Sequence, residues 1–195
     1  MNFEEKQSVL KRLLKGKEAS LIEEYIVDGP TKVKEGIGAT DEEWSVIFDY
    51  MVFEENLLYK TIVTNIDFFL DIYVKHGSAH VREVLDISHQ KYDMIWEILF
   101  DYIAISHDGL YFHVMEHRDK YMTAMKARGG DFVRKVLGVW KGKYEDSWAK
   151  VLDFLLHAVC DAIFSEQTYE NSIRAFSLIM NGVREHRPIY KHGLI

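Results

Sequence analysis

The stretch "EENLLYKTIVTNIDFFLDIYVKHG", residues 54–77, decides the fold class of this chain. Its apolar residues recur at spacings of three and four, at Leu58, Ile62, Ile66, Phe69 and Tyr73. This spacing places side chains on one face of an α-helix. Acidic residues begin the stretch, and a lysine, a histidine and a glycine end it, which is the order that helix dipoles and caps favour. The pattern predicts one long helix over 54–75.

Helical periodicity continues on both sides of this stretch. On the C-terminal side it predicts helices over 78–106, 108–129, 131–142, 147–166 and 168–187. On the N-terminal side, glycine-containing turns separate three short helices, with Thr40 capping the third. We see no alternating strand pattern and no internal repeat. The sequence predicts an all-α protein, with a small three-helix module over 1–51 on a larger antiparallel helical body over 52–195.

Composition narrows the class of protein. Apolar and aromatic residues make up 48% of the chain and charged residues 28%, which is ordinary for a globular domain. Because Cys160 is the only cysteine, an intramolecular disulfide and a thiolate-rich zinc site are excluded. The net charge of -7 disfavours a protein whose main task is binding phosphates. We find no signal peptide or membrane-spanning run, and we expect a cytoplasmic location.

The order of helices resembles that of a known family. The segments that carry the resemblance are "IEEYIVDG" (22–29), "FDYMVFEENLL" (48–58), "WEILFDYIAISHDGLYFHVMEHRDKYMTAMKARGGDF" (96–132) and "AKVLDFLLHAVCDAIFSEQTYENSIRAFSLIMNGV" (149–183). Together they resemble the TetR-type (tetracycline-repressor-like) transcriptional regulators. The resemblance implies a helix-turn-helix module, a body that binds a small apolar ligand, and a homodimer formed through residues 147–187. It therefore implies a ligand-responsive regulator.

The segment that should contact DNA departs from this family. Its recognition helix needs polar and basic residues, and the corresponding stretch here reads "TDEEWSVIFDY" (40–50). Residues 31–60 hold three lysines against seven aspartates and glutamates. Lys32, Lys34 and Lys60 are candidate phosphate contacts, although ordinary solvated lysines are the alternative for each. We expect a degenerate module with weakened or lost DNA binding.

The motif "HVMEH" (113–117) supports an alternative function. His113 and His117 lie four residues apart, a spacing that lets two imidazoles share one metal ion. Further ligands must come from another helix, where His157 and either Asp153 or Asp161 form a polar line. The alternative is therefore a helical-bundle protein that binds a divalent metal. An exposed polar helix face is the simpler interpretation of the same pattern.

Aromatic residues predict where the regulator's ligand would bind. The candidate ligand-binding residues are Trp96, Phe100, Tyr111, Met115, His113, His117 and His157. Apolar pockets with a few polar groups are typical of small-molecule sites, although aromatics at helical spacing are also typical of a core. We find no nucleophile motif and no phosphate-binding glycine loop. The protein is therefore expected not to be an enzyme and, as a regulator, to need no cofactor.

Overall fold

All regular structure in the described part of the chain is helical. The structure is a computed structural model of the 195-residue chain and describes residues 1–165 together with residue 177. The helices are α1 (Phe3–Val9), α2 (Glu18–Gly36), α3 (Asp41–Phe53), α4 (Leu57–Thr64), α5 (Ile66–His76), α6 (Ser78–Val84), α7 (Asp93–Phe100), α8 (Gly109–Glu116), α9 (Arg118–Arg128), α10 (Gly130–Val136) and α11 (Glu145–Ser165). The all-α prediction is confirmed. None of the described helices combines the length and the apolar character needed to cross a membrane.

The long helices predicted from periodicity are interrupted. The one predicted over 54–75 is wrong: it consists of α4 and α5, which Asn65 separates with φ -118° and ψ 36°. The Asn65 amide donates to the backbone oxygens of Ile26 and Thr61, both at 3.2 Å. An asparagine that bonds backbone groups in this way competes with the helix. The apolar spacing continues through such a break, so periodicity alone did not reveal it.

Two further predicted helices are broken in the same way. The helix over 78–106 is wrong because α6 ends at Val84 and α7 begins at Asp93. The one over 108–129 is wrong because His117, at φ -105° and ψ 31°, separates α8 from α9. Helix α11 agrees with the helix predicted over 147–166. The helix predicted over 168–187 lies outside the described residues apart from Ser177, so the homodimer remains a prediction.

The backbone contains a repeat that the sequence analysis missed. Gly29, Gly77 and Gly129 share φ near +80° and an extended ψ. Nine residues after each of them stands another left-handed residue, at 38, 86 and 138. Gly77 and Gly129 lie 52 positions apart, and Gly29 and Gly77 lie 48 positions apart. The pattern therefore occurs three times along the chain. We call 9–56, 57–108 and 109–160 the first, second and third repeats.

The repeats share buried positions more than residue identities. The following sets occupy matching positions and are buried in every copy: Leu14, Ile62 and Val114; Leu21, Phe69 and Tyr121; Tyr25, Tyr73 and Met125; Val33, Val81 and Val133; Trp44, Tyr92 and Tyr144; Met51, Leu99 and Val151. Each copy thus presents the same apolar positions, with valine at one of them in all three copies and mostly different side chains at the others. The prediction that the chain has no internal repeat was therefore wrong. Tandem helical units of about this length are typical of repeat proteins, in which each unit buries its apolar face on its neighbour.

The chain divides into two compact units, of which the first is Met1–His107 and the second begins at Asp108. Within the first unit, the first and second repeats pack directly on each other. Tyr25 donates its hydroxyl to the Leu85 carbonyl at 3.2 Å, and Tyr92 donates to Asp49 at 2.7 Å. The Phe48 ring lies 5.9 Å from that of Tyr25 and 5.8 Å from that of Tyr92. Residues 1–51 are therefore part of a larger unit, and their separate folding as a module remains a prediction.

Candidate functional site

The first unit contains a groove where its two repeats meet. The groove has a volume of about 440 Å³ and is open to solvent. One wall is the segment Tyr25–Pro30 in α2, and the other is formed by residues of α4 and α5 and by the end of α6. Its lining residues are Tyr25, Ile26, Val27, Asp28, Gly29, Pro30, Thr61, Asn65, Phe68, Phe69, Val84 and Leu85. We call this cavity the repeat groove.

Two backbone interruptions shape the repeat groove. Gly29, at φ +80° and ψ 176°, turns the chain in the middle of α2, and Pro30 begins the helical turns that follow. Residues that carry a side chain rarely adopt this backbone conformation, whereas glycine adopts it freely. On the opposite wall Asn65 interrupts the helix, and its amide bonds fix the Ile26 carbonyl. The walls are therefore held by backbone geometry and hydrogen bonds as well as by packing.

The lining of the groove is mainly apolar, and part of it faces solvent. Val27 is 81% exposed and Phe68 is 56% exposed, whereas Phe69 and Leu85 are buried. The two hydroxyl groups of the lining both donate to backbone carbonyls, Thr61 to Leu57 at 2.8 Å and Tyr25 to Leu85. Burial, together with the nearby Asp86 carboxylate, raises the pKa of Tyr25 well above its usual range. The groove therefore offers apolar contact area rather than a reactive group.

A second cavity adjoins the first and has a different chemistry. Its volume is about 530 Å³, and its lining consists of Pro30, Thr31, Lys34, Glu35, Trp44, Glu83, Val84 and Asp86. It shares Pro30 and Val84 with the repeat groove. Three carboxylates line it, and Lys34 is paired with Asp41, which lies outside its lining. We call it the acidic cavity.

The two histidines of the motif "HVMEH" lie side by side in the second unit. His113 is 6% exposed, and its Nε2 lies 2.9 Å from the hydroxyl of Tyr121. Its ring centroid is 4.7 Å from that of His117, which stands at the break between α8 and α9. Burial raises the pKa of the Tyr121 phenol. The structure thus brings the pair together and buries one member against a tyrosine.

The other proposed metal ligands lie on a solvent-exposed face. The side chains of His157 and Asp153 are each 75% exposed. The Nδ1 atom of His157 lies 2.8 Å from the Asp153 carbonyl oxygen, one turn earlier in α11. Asp161 is exposed as well. Among the described residues, no three histidines, cysteines or carboxylates are arranged to hold a metal ion. The metal site remains a prediction.

The aromatic residues proposed to bind a ligand make ordinary packing contacts. In the first unit, the Trp96 ring lies 6.1 Å from that of Phe100, which packs on Tyr73. In the second unit, Tyr111 packs on Phe154 at 5.6 Å, and Met115 is 46% exposed. The repeat groove and the acidic cavity are lined by other residues. A ligand site at the predicted residues remains a prediction.

Two of the three lysines proposed to contact DNA are already paired. Lys32 bonds Asp28 at 2.6 Å, and Lys34 pairs with Asp41, whereas Lys60 is exposed on α4.

The predicted cap of α3 is confirmed, because Thr40 and Glu43 form reciprocal hydrogen bonds between side chain and backbone. The acidic start of α3 is thus a stable helix terminus.

Sequence reasoning missed the repeat groove, although one signal for it was available. The glycines at positions 29, 77 and 129 stand at similar intervals, and each follows a helical stretch with apolar spacing.

Comparison with known proteins identifies no family for this chain. No protein-family model, curated protein or solved structure matches the chain.

Proposed function

We propose that this chain is a non-catalytic helical-repeat protein that binds a segment of a partner protein in the repeat groove. The observation that carries the proposal is the exposure of Val27 and Phe68 in an apolar groove that is open to solvent. Large apolar side chains that line a concave surface are typical of binding sites. Because the groove is open to solvent, it can accept a chain segment that continues beyond it, which an enclosed cavity could not.

Repeat architecture supports the same conclusion. Proteins built from tandem helical units commonly bind partners along surfaces that successive units form together. Here the wall residues come from the first repeat on one side and the second on the other. An apolar anchor side chain that becomes fully buried contributes about 1.5–3 kcal/mol. Two or three such anchors would supply a micromolar affinity only together with further contacts, since that affinity needs about 8 kcal/mol.

The chemistry of the groove supports a binding role over catalysis. Both hydroxyl groups in its lining are engaged with backbone carbonyls. The raised pKa of Tyr25 makes its phenol even less ready than an ordinary tyrosine to form the nucleophilic phenolate. This proposal retains the binding role that the TetR-type resemblance implies and replaces DNA with a protein partner.

A peptide selection tests this proposal. The full chain is used to select binders from a random peptide library displayed on phage. We expect the enriched peptides to carry large apolar residues and to lose binding to the Val27→Glu and Phe68→Ser variants. Met94→Glu and Ile98→Ser are matched controls, because both residues are exposed in the same unit and lie outside the groove lining. Circular dichroism establishes that all four variants are folded.

Two results would overturn the proposal. One is the absence of any enriched apolar peptide. The other is binding that survives Val27→Glu and Phe68→Ser as well as it survives the two controls, since the peptides would then bind elsewhere.

A further inference from the structure

The acidic cavity carries uncompensated negative charge beside the repeat groove. Glu35, Glu83 and Asp86 line it, and its lysine is already paired with Asp41. Within the part of the chain that the structure describes, neither Glu35 nor Asp86 forms an ion pair. Glu83 lies 3.1 Å from His80, a contact that is an ion pair only when the histidine is protonated. A partner group that enters this cavity therefore meets a surplus of carboxylates.

We propose that the partner segment is basic: an apolar side chain occupies the repeat groove and a neighbouring lysine or arginine enters the acidic cavity. This inference rests on the proposed function and adds the charge of the partner to it. Pro30 and Val84 belong to both linings, so a segment lying across them reaches both cavities. Charge complementarity favours a basic segment at this site, because the three carboxylates of the acidic cavity would repel an acidic one.

The remaining charges at the groove support this assignment. Asp28 lines the repeat groove and bonds Lys32, so the nearest lysine on that wall is also neutralised. The whole chain has a net charge of -7, which attracts a basic segment over longer distances as well. Electrostatic attraction of this kind raises the association rate and weakens as salt is added.

Three peptide probes test the charge preference. The peptides share the same leucine positions at helical spacing and carry lysine, glutamine or glutamate at all other positions. Isothermal titration calorimetry measures their binding to the full chain. At low salt we expect the lysine peptide to bind about tenfold more tightly than the glutamine peptide, and the glutamate peptide to bind most weakly. Raising the salt from about 50 mM to about 500 mM should remove most of this difference.

A variant without the three carboxylates of the acidic cavity shows whether that cavity causes the preference for the lysine peptide. Glu35→Gln, Glu83→Gln and Asp86→Asn are combined, and asparagine tolerates the left-handed backbone that Asp86 adopts. We expect this variant to bind the lysine and glutamine peptides equally well. The matched control combines Glu4→Gln, Glu42→Gln and Glu54→Gln, which removes the same charge from exposed positions outside both cavities. The control should keep the preference for lysine.

The outcomes separate this inference from the proposed function. Equal binding of the lysine and glutamine peptides to the unaltered chain, lost in Val27→Glu, would overturn the basic partner and leave groove binding intact. A preference that the control variant loses as fully as the cavity variant would also overturn it, because the attraction would then be nonspecific. Failure of all three peptides to bind would count against both proposals.

Discussion

Arg82 and Arg134 occupy the same position in the second and third repeats and make the same bonds. Arg82 Nε donates to the Ile87 carbonyl at 3.2 Å, and its guanidinium pairs with Asp93 at 2.7 Å. Arg134 Nε donates to the Val139 carbonyl at 2.9 Å and pairs with Glu145. Each arginine therefore links two places in its repeat. It bonds the left-handed turn after its own short helix, and it pairs with an acidic residue at the start of the next helix.

Replacing Arg134 with methionine should destabilise the protein by about 1–3 kcal/mol. Methionine keeps the apolar stem but leaves the Val139 carbonyl without its charged donor, and bonds to charged groups are the stronger kind. Lys150→Met is the control, because the Lys150–Asp108 pair is exposed, with 62% and 56% of the side chains accessible. Its loss should change the free energy of unfolding by less than about 1 kcal/mol. Urea denaturation measures both, and equal effects would contradict the role of Arg134.

Buried tyrosines should make the protein sensitive to alkaline pH. Burial and the Asp86 charge raise the pKa of Tyr25, and burial with a hydrogen bond to Asp49 raises that of Tyr92. The folded protein therefore keeps these phenol protons after the unfolded chain has lost them. Stability from this source is complete below the ordinary tyrosine pKa of about 10 and is lost as the pH rises above it.

The free energy of unfolding should then fall above about pH 10, by up to about 1.4 kcal/mol per pH unit for each such tyrosine. Denaturant titrations at several pH values measure this slope. The double variant with Tyr25→Phe and Tyr92→Phe should start from a lower stability at neutral pH, because it lacks two hydrogen bonds. Its slope above pH 10 should nevertheless be shallower, and an unchanged slope would exclude these two groups as the cause.

At the scale of the helices, Gly77 and Gly129 each separate one helix from the next at the same position of two repeats. Gly129 ends α9 with φ +80° and ψ 173°, and Gly130 begins α10 in an ordinary helical conformation. A Cβ atom at Gly129 would meet no atom within 4 Å, so only the backbone conformation requires glycine there. At Gly130 a Cβ atom would lie 3.5 Å from the ring of Trp148, an ordinary contact distance.

These adjacent glycines should respond differently to the same substitution. Gly129→Ala should cost about 1–3 kcal/mol, because alanine is strained in this backbone region. Gly130→Ala should change stability by less than about 1 kcal/mol in either direction, since alanine favours the helix while the Trp148 contact tightens slightly. Thermal and urea unfolding of the two variants measure the contrast. Comparable losses at both positions would mean that packing, not the backbone break, requires the glycines.

At the scale of the whole molecule, the first two repeats belong to one compact unit. Trp44 and Phe48 from the first repeat join Tyr92 from the second in one aromatic cluster. Lys91 and Tyr92 of the second repeat both bond Asp49 of the first. Residues 1–51 alone would expose this cluster, whereas residues 1–107 contain both sides of it.

A fragment of residues 1–107 should therefore unfold cooperatively, and a fragment of residues 1–51 should not. The physical reason is that a helical repeat buries its apolar face only against a neighbouring repeat. Circular dichroism during heating and amide hydrogen exchange distinguish the two cases. A cooperative transition in the 1–51 fragment would instead support the independent N-terminal module that the sequence predicts.

Charge predicts how the whole chain responds to DNA. A net charge of -7, with Lys32 and Lys34 held by carboxylates, opposes approach to phosphates. We expect no change in the fluorescence anisotropy of a labelled duplex at low salt. Salt-dependent binding that weakens in a Lys60→Ala variant would contradict this expectation and restore the DNA-binding regulator as the leading hypothesis.

Local sequence determined the class of fold and several of its details. Apolar spacing of three and four residues identified helices, because that period is a property of the backbone and needs no partner. The Thr40 cap followed from local chemistry for the same reason, and so did a glycine-containing turn among the N-terminal helices, which the structure places at Gly29. The adjacent histidines of "HVMEH" were also foreseeable, since a spacing of four brings their rings together even across the break at His117.

Tertiary structure alone decided the unit boundary and the groove, and it fixed the repeat boundaries that the glycine spacing indicates only incompletely. Breaks at Asn65 and His117 leave the apolar period unchanged, so no periodic pattern reveals them. The repeats keep buried positions while changing many of the side chains there, so they are clearer in backbone conformation than in sequence. The repeat groove exists because α2 meets α4 and α5, and which surfaces meet depends on packing between segments distant in sequence. The helices are local properties of this sequence, whereas its candidate binding site is a property of the packed fold.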